Sequence, residues 1–201
     1  MAEITTAVAG LVGVVIGGGI TSLQKWLEYR ASRATARGYL SVRVTCEIDH
    51  YCEACLAVAH DDGEYNEQGL VETSVPSPNF DVSALDVDWK SIEPALCYRI
   101  LNMPAVIRSA RETIGPKWEA DPPDFWQYFR ARKKGHCELG LTAFGIAASL
   151  RQSAGLPQSD FDFSGAFKTV LSEVAAEDTE REARHLAFRA SSPHIFPVVT
   201  D

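Results

Sequence analysis

The sequence predicts an all-α protein: one N-terminal transmembrane helix that runs on into a cytoplasmic, up-and-down helical bundle. Three observations carry this expectation. Ile4–Leu23 contains no charged residue. Apolar residues recur at three- and four-residue spacing in several later stretches, which is the period of a buried helix face. The prolines fall between those stretches, where they would interrupt helix. The domain organisation expected is an anchor at residues 1–23 and a bundle domain at 24–201, with an acidic loop at about 61–90.

The anchor comes first. About 20 uncharged residues at 1.5 Å each span a hydrocarbon core of roughly 30 Å. Gly10, Gly13, Gly17, Gly18 and Gly19 dilute the hydrophobicity, but glycine is more frequent in membrane helices than in soluble ones. A secretory signal would begin with basic residues and end in a small-residue cleavage site. This segment begins Met1-Ala2-Glu3 and continues Thr21-Ser22-Leu23-Gln24. A phosphate loop would need Gly-Lys-Ser/Thr, or Gly-x-Gly-x-x-Gly opening a helix, and neither is present. A core helix of a fully soluble bundle is the remaining alternative.

The flanks give the span a direction. Lys25, Trp26, Arg30, Arg33 and Arg37 follow it, suited to lipid headgroups, and only Glu3 precedes it. The positive-inside rule then places the N-terminus outside an inner (cytoplasmic) membrane and the bundle in the cytoplasm. Thr5, Ala9, Gly13, Gly17 and Thr21 are four apart, so one helix face carries only small side chains. Such a ridge lets a second copy approach closely, and a homo-oligomer is expected through it.

After the span, Leu40, Val44, Ile48, Tyr51, Cys55 and Val58 form one apolar face, and the helix is expected to end near His60-Asp61-Asp62-Gly63. Glu64–Asp88 has Pro76-Ser77-Pro78 and no sustained period, which reads as a loop with at most short extended pieces. The next helix begins around Ser91 as cap, with Glu93 and Pro94 in its first turn. Pro104 breaks it into two pieces. Asp121-Pro122-Pro123-Asp124 marks a turn. A long helix follows, with Phe125, Phe129, Arg132, His136, Leu139, Ala143, Ile146 and Leu150 on one face, and Gly155-Leu156-Pro157 ends it. Asp162 or Ser164 starts the last helix, with Phe167, Val170, Leu171, Val174 and Leu186 inward. The tail from Ser191 reads as extended.

Composition narrows the function. With 27 acidic and 19 basic residues the net charge is −8, the wrong sign for a general nucleic-acid binder. Five cysteines without regular spacing read as reduced, mostly buried thiols. Cys52 and Cys55 have half of a zinc-site spacing, with no second pair to complete it. Two Glu-x-x-His pairs, Glu47/His50 and Glu182/His185, with Glu112 and Glu138, match the residue types of a carboxylate di-metal centre in a helical bundle. No hydrolase, metalloprotease or nucleotide motif occurs. The expectation is therefore a single-pass interaction, scaffold or sensor protein without a cofactor, meeting lipids and an unidentified protein partner. A membrane-tethered metalloenzyme using the Glu-x-x-His pairs is the alternative from a different class.

Overall fold

Leu40, Val44, Ile48, Tyr51, Cys55 and Val58 are all buried, in helix α1 (Ala2–Ala59). The computed structural model describes the backbone of residues 2–120 and 125–191, and the side chains of 21–119 and 125–191. The helix runs without interruption through the region where the span was expected to join the bundle. The side chains of Thr5, Ala9, Gly13 and Gly17 lie outside the described residues, as does most of Ile4–Leu23. Among the described residues no helix is long and apolar enough to cross a membrane. The mostly helical architecture thus stands, and the transmembrane segment lacks structural support.

The connection after α1 is mainly irregular. It holds a two-residue antiparallel pairing of β1 (Glu64–Tyr65) with β2 (Val71–Glu72), in register Glu64↔Glu72 and Tyr65↔Val71. Short 3-10 turns follow at Val82–Ala84 and Trp89–Ser91, each started by an aspartate, Asp81 or Asp88, that accepts a backbone N–H. The next helix corrects the expected cap. Ser91 ends the preceding 3-10 turn, and Glu93 is the N-cap of α2 (Pro94–Leu101). Its carboxylate accepts from the N–H groups of Ala95 and Leu96 at 3.0 and 3.1 Å, satisfying donors that the helix cannot pair itself.

Asn102 separates α2 from α3 (Met103–Ile114), and Pro104 sits in the first turn of α3, where its missing N–H costs no hydrogen bond. A short α4 (Lys117–Ala120) precedes residues 121–124, so the turn expected there lies outside the described residues. Helix α5 (Trp126–Ala154) ends at Gly155, whose φ of 66° is the left-handed conformation a helix C-cap favours. All eight residues expected on its inner face are buried, but Phe125 precedes the helix as its N-cap, in the left-handed conformation with φ 48°. Helix α6 (Phe163–Ser191) starts after Asp162, which accepts from Gly165 N–H at 2.9 Å.

Helices α1, α5 and α6, with the broken α2–α3 segment, enclose one core. Cross-helix contacts set the directions. Arg151 meets Asp49 and Arg132 meets Asp61, so α5 is antiparallel to α1. Arg130 meets Asp178, and Phe167 lies against Gly140, so α6 is antiparallel to α5. The last residue of α6 that is buried is Val174, and Leu186 is 60% exposed. Leu186 was expected inside; in fact α6 outruns its partner helices, and among the described residues none of its side chains past Val174 is buried. At the other end of the molecule, residues 21–35 of α1 are likewise exposed and form a stalk.

Candidate functional site

Two arginine–aspartate ion pairs tie α1 and the residues just after it to α5, near opposite ends of the interface. The first is a buried knot, in which Arg132 Nε alone of the guanidinium nitrogens has no hydrogen-bond partner among the described residues. Asp61 and Arg132 form an ion pair with side chains 0% and 2% exposed. Asp61 also accepts from Gly63 N–H (3.0 Å), Ser74 hydroxyl (2.7 Å), Ser74 N–H (3.3 Å) and Val75 N–H (3.1 Å). Arg132 donates further to the Val75 carbonyl. Burial by itself raises the carboxyl pKa. The hydrogen bonds from Ser74, Val75, Arg132 and Gly63 outweigh it and hold Asp61 well below the usual carboxylate range. The knot fastens both sides of the β1–β2 loop to α5. Gly63 permits this: its φ is +80°, and a Cβ there would lie 2.5 Å from Phe129.

His136 sits one turn beyond Arg132, 2% exposed, and its Nδ1–H donates to the Arg132 carbonyl at 2.8 Å. Burial lowers its pKa below the ordinary 6.5; the hydrogen bond to the Arg132 carbonyl opposes this in part, and the positive charges of Arg132 and Arg111 add to it. It is a neutral core histidine. The thiols of Cys52, Cys55 and Cys137 are also buried, and burial pushes them up to about 12, 12 and 11. A thiol held protonated at neutral pH is a poor nucleophile, and Cys52, Cys55 and Cys137 pack within the hydrophobic core. Cys52 in addition donates to the Gly140 carbonyl at 3.6 Å.

The second contact is open. Arg151 pairs with Asp49, their side chains 7% and 24% exposed. Ser41, Thr45 and Asp49 lie four apart on α1, beside the apolar Leu40, Val44 and Ile48, and make a polar stripe whose Asp49 meets Arg151 of α5. Four buried atoms on these residues have no hydrogen-bond partner among the described residues: Ser41 Oγ, Thr45 Oγ1, Asp49 Oδ1 and Arg151 Nη1. Thr45, Asp49 and Arg151 line a cleft of about 470 Å³, whose other walls include Val42, Phe161 and Phe163. Larger grooves exist, such as one of about 850 Å³ between α3 and α5. The cleft thus lies beside several buried polar atoms that have no partner among the described residues.

The structure does not draw the six proposed metal ligands together. Glu47 and His50 border a small cavity of about 140 Å³ with Tyr51, Phe80 and Asp81. Glu112 is exposed on α3, and Glu138 is exposed on α5. Glu182 and His185 stand on the exposed end of α6, beyond the Asp178–Arg130 pair. Among the described residues no three His, Cys, Asp or Glu side chains are grouped to hold a metal. The expected lipid-facing residues have split roles. Arg30 stacks over Trp26 at 4.5 Å, and both are exposed, as is Lys25. Arg33 and Arg37 donate to the carbonyls of Lys90 and Ser91 at 3.2 Å, joining the stalk to the 3-10 turn before α2.

Sequence reasoning missed Asp49, Arg151 and Asp61. The four-residue spacing of Ser41, Thr45 and Asp49 was a usable signal, because a polar stripe beside an apolar one on the same helix implies a polar partner across the interface. Compared with known protein families, curated proteins and solved structures, the chain has no match.

Proposed function

We propose that the chain is a single-pass membrane-anchored helical module, acting as a scaffold or sensor rather than as a catalyst. Residues 1–23 would cross an inner (cytoplasmic) membrane with the N-terminus outside, and the bundle would stand in the cytoplasm. The supporting observation is α1: one helix from Ala2 to Ala59 whose uncharged stretch Ile4–Leu23 leads into an exposed stalk. On that stalk Lys25, Trp26, Tyr29 and Arg30 are the residue types found at a membrane–water interface. The core begins only at Leu40, about 25 Å along the helix from Leu23. The stalk would therefore hold the bundle clear of the headgroups, with its sides open to partners.

Alkaline carbonate extraction of membranes containing the full chain tests the anchor. The protein should stay with the membrane pellet, and release into the supernatant would overturn the reading. Self-association through Thr5, Ala9, Gly13, Gly17 and Thr21 has its own test. Gly13→Ile with Gly17→Ile should abolish crosslinked oligomers in membranes while leaving the protein in the pellet. Unchanged crosslinking would remove the ridge as the contact.

A further inference from the structure

We infer that the end of α6 that outruns the bundle, residues 179–191, is a docking surface for a second copy of this chain, paired antiparallel. The inference stands apart from the membrane reading and does not need it. Every described side chain of α6 past Asp178 is exposed, Leu186 at 60% among them. These residues extend for about 18 Å as helix. Helices in proteins owe most of their stability to packing one face against something. Thr179, Ala183, Leu186 and Ala190 are spaced four, three and four apart, which is the period of two helices packed lengthwise. Three of the four side chains are small, so the axes can approach closely.

Charge selects the partner. Residues 173–180 contain no basic side chain, and residues 183–191 contain no acidic one. Asp178 is engaged by Arg130, and Arg181 lies over the Trp126 ring at 3.9 Å. Of the charges on the outrunning end, Glu180 and Glu182 then come first and Arg184 and Arg189 after them, all four exposed. A parallel pair of copies would set like charges side by side. An antiparallel pair sets the acidic stretch of each copy against the basic stretch of the other, twice by symmetry. With Ala183 opposite the partner's Leu186 and Thr179 opposite the partner's Ala190, Glu182 comes beside the partner's Arg189. A uniformly acidic or uniformly basic partner would meet one matching stretch and one repelling stretch.

Both α1 and α6 are antiparallel to α5, so this surface lies at the end of the bundle away from residues 21–35. It engages a different neighbour from any contact through the N-terminal segment. An overlap of about three and a half turns belongs with interfaces of under about 1,200 Å², so the dimer is weak and reversible.

Sedimentation equilibrium of the full chain in density-matched detergent micelles at low salt tests this, over protein concentrations of about 10 μM to 1 mM. The acid reversal is Glu180→Lys with Glu182→Lys, and the base reversal is Arg184→Glu with Arg189→Glu. All four sites are exposed, so Tm should stay within about 2 °C of the parent. Each reversal should weaken self-association at least about tenfold. An equimolar mixture of the two reversals should regain the parent's association, and so should the chain carrying all four changes. Equal association of the parent and either reversal, including none in both, would overturn the inference. So would failure of the mixture and the fourfold variant to recover. The N-terminal segment is the same in every variant, so self-association through it cannot follow the charge reversals.

Discussion

At the residue scale, the strongest constraint is a charge that could not stay buried alone. Asp61 keeps Arg132 compensated, and both keep the β1–β2 loop closed. Asp61→Asn preserves the shape but leaves the guanidinium without its counter-charge. It should lower unfolding free energy by about 3–5 kcal/mol in a urea titration. The native carboxyl titrates below its unfolded value of 3.8. Its contribution is therefore complete above that value and lost as pH falls from there toward the native pKa. Acid unfolding should begin below about pH 4, and the part due to Asp61 should vanish in Asp61→Asn.

His136 works in a different window. Its native pKa is lowered from 6.5, so below that pH the unfolded chain takes up a proton that the native chain resists. Stability then falls as pH drops through and below 6.5. Urea midpoints at pH 7 and pH 5 should differ more for the parent protein than for His136→Gln, which carries no titrating group there. An equal pH dependence in the two proteins would mean that His136 is not the buried neutral group described.

At the element scale, apolar periodicity and chain breakers placed the helices. The inner face of α5 follows from spacing alone, because a 3.6-residue period leaves one set of positions for the core. The residue classes on that face do not tell the whole story. Gly140 is there because Phe167 of α6 lies against it, and a Cβ at that position would come 2.1 Å from the ring. Gly140→Ala should therefore destabilise by about 1–3 kcal/mol, despite alanine's higher helix propensity, as a lowered thermal midpoint will show. Leu186 marks the limit of periodicity. Its spacing continues the α6 stripe, but a stripe is buried only where another helix lies opposite, and past Asp178 none of the described side chains of α6 is buried. The cap of α2 shows a similar limit. Ser91 and Glu93 are both capable caps, and the choice followed from the 3-10 turn that Ser91 closes.

At the scale of the molecule, stability and attachment are separable. The buried residues start at Leu40, and residues 21–35 of α1 are all exposed, with Arg33 bonded to the Lys90 carbonyl. A chain lacking residues 1–23 should keep a cooperative thermal transition with its midpoint within about 2 °C of the full chain in the same detergent. A collapse of that transition would mean that the N-terminal segment packs on the bundle, as in the fully soluble alternative.

The sequence by itself determined the helical class, the positions of the long helices, the inner face of α5 and the irregular acidic connection. Each of these depends on residues a few positions apart, where backbone geometry fixes what neighbours what. Tertiary structure alone decided which polar residues meet. Arg132 and Asp61 are 71 residues apart, and Arg151 and Asp49 are 102. No local pattern pairs charges across such distances, and the Glu-x-x-His spacing, attractive on each helix separately, set nothing about convergence. The open cleft at Asp49 belongs to the same category. It exists because two helices carry polar groups to one place and the loop before α6 leaves that place uncovered.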